Sequence, residues 1–225
     1  LRVERRNLGF LLLYGLVLSL FNSTWTISVA LNGAAVSTVL AYSSAAFTAV
    51  FGWRLFGERL GAAKILAVTL SMLGCVFVAG AYDPHAWQLN LVGVITGLSS
   101  GLAFAIYSLF GKAAWQRGID SWTTLLYAFA FAAGFILLYN LGADWLPEGA
   151  ASTNLLYLNS VTDAAASAAV GWLVLAALAL GPTVAGYGLY TASLTYLPVS
   201  VANIIATFEP AMTAVLAYLF LGELF

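Results

Sequence analysis

Read for hydropathy, the chain is a succession of long apolar runs separated by short polar breaks. Seven runs reach the roughly 20 residues an α-helix needs to cross about 30 Å of hydrocarbon: 9–31, 34–56, 62–80, 90–110, 122–141, 169–194 and 199–221. The breaks carry turn or charge signals: Asn32-Gly33, Gly57-Glu58-Arg59, Asp83-Pro84, Gly118-Ile119-Asp120, Pro147-Glu148-Gly149 and Leu197-Pro198. The runs are continuously apolar rather than alternating, which excludes the strands of a membrane β-barrel. The pattern predicts an all-α, polytopic membrane protein with seven visible transmembrane helices.

Composition agrees. Hydrophobic residues make up 62% of the 225 positions and charged residues 8%, where a soluble domain carries about a quarter charged. The mean hydropathy is +0.95. Such an outside faces lipid, so the bilayer is the first partner. A formal charge of −1, with eight scattered Lys and Arg, builds no basic patch and excludes nucleic acid. The single cysteine, Cys75, makes no intrachain disulfide and reads as a small apolar helix residue. Starting at Leu1 and stopping at Phe225 in what reads as a loop, the chain is expected to be a piece of a longer protein.

The positive charges orient the helices. Arg2, Arg5 and Arg6 precede the first run; Arg54, Arg59 and Lys64 surround the second break; Lys112 and Arg117 lie at the fourth. With seven spans all of these fall on one side. The opposite loops hold Asp83, Asp144, Glu148 and Asp163 and no Lys or Arg. Cytoplasmic loops are the Lys/Arg-rich ones, so the N-terminus is predicted to be cytoplasmic, in a plasma or inner membrane. Trp53, Trp87, Trp115, Trp122, Trp145 and Trp172 sit near run ends, where amphipathic rings prefer the interface. Trp25, well inside the first run, is the exception.

A repeat lies under this layout. Gly57-Glu58 recurs as Gly222-Glu223, and the same offset of 165 superposes Val36 on Val201, Ala41 on Ala206 and Thr48-Ala49-Val50 on Thr213-Ala214-Val215. The two copies cross the membrane in opposite directions. Inverted-topology repeats of this kind belong to secondary transporters, which alternate access by rocking one half against the other.

These residues carry a family resemblance as well. Ala30-Leu31, the run Gly52-Trp53-Arg54-Leu55-Phe56-Gly57-Glu58-Arg59-Leu60, and its partner Phe208-Glu209-Pro210 with Leu219-Phe220-Leu221-Gly222-Glu223 resemble the EamA-type repeat of the drug/metabolite transporter superfamily. The resemblance implies two inverted five-helix repeats. Residues 1–80 would be the last three helices of the first, and residues 81–225 four helices of the second. Two helices would precede Leu1 and one would follow Phe225. It further implies a transporter, often an exporter of amino-acid-like or other small polar metabolites, with no enzymatic activity and no cofactor. The halves differ at one place: Ser44-Ala45 stands where the second copy has Glu209-Pro210.

Glu209 is the one ionisable residue near the middle of a run. A charge at the bilayer centre costs about 2.5–3.5 kcal/mol on insertion scales, and such residues face a bundle interior or wet cavity. Two readings are open: a proton-coupling or substrate-binding carboxyl, or a protonated, hydrogen-bonded group beside the Pro210 kink. Asn22, Trp25 and Thr26 share a helix face and suggest a cavity wall, or else interhelical hydrogen bonding. Thr183, Tyr187 and Tyr190 lie along a helix loosened by Gly181-Pro182, Gly186 and Gly188. The resemblance implies that these helices border the central cavity, with Asn203 and Thr207 on the face of Glu209. Tyr107 and Ser108 are weaker candidates. Gly93, Gly97 and Gly101 read as a close-packing face, and His85 as a solvated loop residue.

Three rival functions meet these residues differently. A heptahelical receptor fits the count but neither the inverted repeat nor the last run, which has no retinal-type Lys. An intramembrane enzyme lacks a metal cluster, an Asp pair or a nucleophile–base pair. A lipid or lipid-linked-sugar flippase of the same fold stays open.

Overall fold

Gly33 decides how the first two runs are arranged. In the computed structural model, which describes residues 3–78, 90–143 and 165–212 together with 215 and 219, helix α1 spans Arg5–Ala41 but is broken at Gly33, whose φ of 78° is left-handed. Ser28 Oγ and Ser37 Oγ lie 2.8 Å apart, within hydrogen-bond distance. Nine residues of unbroken helix would hold them about 13 Å apart, so α1 is a hairpin of two antiparallel limbs. The Asn32-Gly33 turn signal is thereby explained, since glycine takes positive φ without a Cβ penalty.

The remaining helices are α2 (Ser44–Phe56), α3 (Ala62–Val78), α4 (Leu91–Gln116), α5 (Ser121–Ala143), α6 (Ala165–Leu178), α7 (Tyr187–Tyr196) and α8 (Val199–Ala206). A π-helical stretch, Ala179–Gly186, joins α6 to α7 without a turn and contains Pro182. Among the described residues there is no strand. Among the described residues four helical stretches are long and apolar enough to cross a membrane, the folded Arg5–Phe56 counted as one of them; Ala62–Gly74 and Val199–Met212 are shorter apolar helices. The expected run 90–110 continues to Gln116. The expected helix 199–221 is interrupted at Thr207-Phe208, and the breaks at Asp83-Pro84 and Pro147-Glu148-Gly149 lie outside the described residues.

The outside is apolar, and the inside mixes apolar side chains with buried polar ones. Leu55, Leu66, Leu138 and Leu173 are more than half exposed, whereas Ser28, Ser37, Thr48, Ser100, Ser200 and Asn203 are buried. Hydrocarbon offers no hydrogen bonds, so hydroxyls turn inward and satisfy themselves on neighbouring helices or their own backbone. Trp53, Trp115, Trp122 and Trp172 lie on the surface, about half or more exposed.

Helix α4 is the hub, antiparallel to the first limb of α1. Phe10 stacks on Phe110, Phe21 packs on Phe104, and Asn32 exchanges hydrogen bonds with the Asn90 backbone. Gly97 allows this closeness: a Cβ there would lie 2.7 Å from Leu40 Cδ1 and 2.8 Å from Ser28 Oγ, one on each limb. Gly93 and Gly101 face the same helix pair, as a small-residue face should.

One end of the bundle gathers the basic residues. Arg117 lies over the Phe10 ring at 4.1 Å. Lys112 bonds the α7–α8 turn, and Lys64 pairs with Glu58 beside the start of α8. This basic end is opposite the Asn32–Asn90 contact.

Both central helices are interrupted in the same way. At Tyr42 (φ −70°, ψ −7°) the N–H bonds Thr38 O at 3.0 Å, and Ser43 N–H bonds Leu40 O at 3.2 Å. At Thr207 (φ −67°, ψ −4°) the N–H bonds Asn203 O at 3.1 Å, and Phe208 N–H bonds Ile205 O at 3.0 Å. Each pair of residues lies 165 positions from its counterpart.

Gly97→Leu is expected to lower thermal stability in detergent by about 1–3 kcal/mol, because an overpacked contact must be forced open. Gly134→Ala, where an added Cβ meets nothing, is expected to leave the melting temperature unchanged or slightly raised. Equal melting curves for the two variants would show that the α1–α4 contact does not hold the bundle.

Candidate functional site

A chain of polar side chains crosses the bundle between its ends. Ser108 Oγ on α4 and the Tyr190 hydroxyl on α7 lie 2.7 Å apart. Asn203 on α8 donates its Nδ2 to the Tyr190 hydroxyl at 3.4 Å, and its Oδ1 accepts from Ser44 Oγ on α2 at 3.1 Å. Four helices are thus joined through four side chains, and Ser44, Ser108 and Asn203 are buried. A neighbouring pair, Tyr107 hydroxyl and Thr191 Oγ1 at 3.2 Å, ties α4 to α7 a second time.

Aromatic rings wall the network. Tyr187 meets Tyr107 edge-on at 5.8 Å and Phe129 edge-on at 5.3 Å, while Phe104 packs on Tyr190 at 5.5 Å. Edge-on pairing leaves hydroxyls free to point along the bundle while the ring bodies exclude lipid. Gly188 lets this wall close, since a Cβ there would lie 2.6 Å from the Trp122 ring. The π-helical stretch below Tyr187 is consistent with the loosening expected from Gly181-Pro182. Its Thr183 hydroxyl bonds Leu178 O at 3.0 Å, five residues back. Inserted π-turns occur frequently at functional sites.

Glu209 follows directly on the Thr207-Phe208 interruption, one turn and a half beyond Asn203. Its Oε2 accepts from the Tyr42 hydroxyl at 3.1 Å, so each interrupted helix contributes one partner. Glu209 is exposed, unlike the network beside it. Among the described residues no Lys or Arg approaches it, because all of them lie at the basic end. No group of three His, Cys, Asp or Glu among the described residues is arranged to hold a metal ion.

The candidates are therefore sorted. Tyr190 and Asn203 bond each other, Tyr187 forms part of the wall, and Thr207 is buried at the α8 interruption with its hydroxyl on Ile204 O. The α1 candidates are not joined to this network. Asn22 Nδ2 bonds Leu18 O at 2.9 Å and Thr26 Oγ1 bonds Asn22 O at 2.8 Å, both within their own helix, and Thr26 is exposed. Trp25 is half-buried, one turn beyond the Phe21 ring that packs on Phe104. Tyr42, Ser44 and Thr191 were missed. The repeat offset held the signal for one of them, because Ser44 is the counterpart of Glu209. A separate cavity of about 270 Å³ is lined by Trp122, Leu125, Leu126, Phe129 and Val184. Its apolar walls do not suit a polar solute.

An apolar exterior around helices that are joined through buried polar side chains defines a multi-pass helical membrane protein. The sequence matches the EamA-like transporter family over residues 2–80 and 91–225, and the chain belongs to that family. It is 31% identical over 222 residues to an uncharacterized transporter of Synechocystis sp., covering 98% of this chain and 60% of the relative. It is 26% identical over 198 residues to an uncharacterized transporter of Bacillus subtilis, covering 86% of this chain and 58% of the relative. With an uncharacterized transporter of Archaeoglobus fulgidus the identity is 27% over 169 residues, covering 75% and 52%. The chain thus spans about three fifths or less of the length of these relatives.

Asn203→Ala is expected to cost about 1–3 kcal/mol, since it leaves the buried Ser44 hydroxyl without its Asn203 acceptor, while the Tyr190 hydroxyl keeps Ser108. Adding Ser44→Ala should cost less in that background than in the parent, because the hydroxyl has already lost its acceptor. Thermal unfolding of the four proteins of this cycle checks it. Strictly additive losses would mean that the bond contributes nothing.

Proposed function

We propose that the protein is part of a secondary active transporter that moves a small polar, amine-bearing metabolite of the amino-acid class, in the export direction, by alternating access. The observation that carries this reading is Glu209: an exposed carboxyl at the interruption of α8, bonded by Tyr42 from the interruption of α2, above a buried polar network. A solute with an ammonium group finds a countercharge there. A solute bearing only negative charge finds no Lys or Arg at that level. The Asn203 amide and the Ser108 and Tyr190 hydroxyls supply neutral donors for a carboxylate or hydroxyl of the same solute.

The repeated interruption supports the mechanism. Two helices that cross in opposite directions and break at counterpart residues with the same dihedrals are suited to an inverted repeat that rocks about its centre. Glu209 then carries a proton, or the substrate amine, according to which side is open. The charge asymmetry supports a cytoplasmic basic end in a plasma or inner membrane. A lipid-flipping protein of the same fold is the alternative that the transport assay separates, because it would move no water-soluble amine.

The test uses the full-length protein in proteoliposomes with an imposed pH gradient and a mixture of amino acids and simple amines. Glu209→Gln keeps the volume but cannot titrate. It is expected to insert normally and to lose proton-dependent flux by about a hundredfold or more, the scale on which a positioned proton-transfer group acts. Parent-like flux in Glu209→Gln across a pH range would make the carboxyl structural and remove the coupling.

A further inference from the structure

The basic end of the bundle is closed by a joint that the central site does not require. Gly57 (φ 65°) turns the chain after α2 so that Glu58 N–H bonds Gly52 O at 3.1 Å, and the Glu58 carboxylate then reaches α8. Its Oε1 accepts the Val199 N–H at 2.6 Å, and its Oε2 accepts the Ser200 hydroxyl. Lys64, at the start of α3, donates to that same Oε2 at 3.2 Å and to Ser200 Oγ at 2.7 Å. The Lys64 and Glu58 side chains are 15% and 9% exposed. Lys112 of α4 adds a second tie, donating to Leu194 O at 2.7 Å and Leu197 O at 3.1 Å at the end of α7. Between this joint and the polar network lies an apolar layer of Leu109, Leu194, Val199 and Ala202.

The chemistry of the joint is that of a reversible closure. Helix α8 begins after Pro198 and has no side-chain cap of its own. Its first N–H is satisfied by a carboxylate borrowed from another helix pair, where the helix dipole favours negative charge. Parting the two elements would leave Val199 N–H, Ser200, Glu58 and Lys64 at the end of the bundle, where water can take over their hydrogen bonds. The Ser44–Asn203 bond has no such replacement, because it lies in the dry middle. A seam that opens repeatedly is better placed at the former than at the latter.

We propose that Glu58, Lys64 and Ser200 form a latch that holds the basic end shut in this conformation and parts when the pathway opens on that side. The latch guards the apolar layer around Ala202. Its existence rests on the alternating-access reading, so its test reads accessibility and needs no identified solute.

The full-length protein, carrying Cys75→Ser and Ala202→Cys, is reconstituted and treated from the basic side with a membrane-impermeant maleimide. Labelling of the parent latch is expected to be slow. Glu58→Gln and Lys64→Met are each expected to speed it by roughly 5-fold or more, the lower bound of ordinary coupling between two conformations. Labelling at Arg59→Cys, already exposed, should not change. If Glu58→Gln fails to insert, Lys64→Met decides, because it removes the ion pair and leaves the cap. Unchanged labelling in the variants that fold overturns the latch and leaves the transport reading standing. Faster labelling in a protein that moves no solute supports the latch and counts against transport.

Discussion

Everything in this structure follows from a solvent that cannot hydrogen-bond. Because hydrocarbon leaves polar groups unpaired, many Ser and Thr hydroxyls of the helices return to their own backbone, as Thr26 and Thr48 do, and others join neighbouring helices. The joining ones fix the architecture. Ser28 receives no help from lipid, so it links the two limbs of α1 and reaches Gly93 O of α4. Gly93, Gly97 and Gly101 make that approach possible by removing the side chains that would hold the backbones apart. Exposed leucines follow from the same rule read outward.

The pathway reading grows from where this economy breaks. Glu209 is exposed and ionisable between the ends of the bundle, and it is met by a tyrosine from the counterpart interruption rather than by a cation. Below it the polar atoms are paired across four helices, then an apolar layer intervenes, then the Glu58–Lys64–Ser200 joint closes the basic end. Toward the basic end the order is exposed carboxyl, buried polar network, apolar layer and ionic joint. Such an order suits a protein shut on one side and open on the other.

Much of the fold was legible from the residues alone. Long apolar runs specify membrane helices by length. Gly33, Gly57 and Gly118 mark turns because each takes positive φ, and Gly181-Pro182 announced the loosened stretch that became a π-helix. The site was only half legible. Tyr190, Asn203 and Glu209 were visible as polar residues where lipid forbids them. The interruption at Tyr42-Ser43 was not, because no Gly or Pro marks it; it is visible only as the counterpart of Thr207-Phe208. Asn22 and Thr26 stand out by the same logic; each hydrogen-bonds the carbonyl one turn back in its own helix, a pattern that hydropathy alone does not reveal. Glu58 stands out in the sequence as a repeat marker, but its contact with α8 does not show there, since α8 begins 141 positions further along the chain.

The central claim is that the carboxyl level is wet from the end opposite the basic one and sealed from the basic end. Tyr42→Cys in a Cys75→Ser background of the full-length protein tests it directly, with an impermeant maleimide applied to each face in turn. The account predicts modification at position 42 from the non-basic face, with little from the basic face. Reaction from the basic face alone, or from neither, would contradict it.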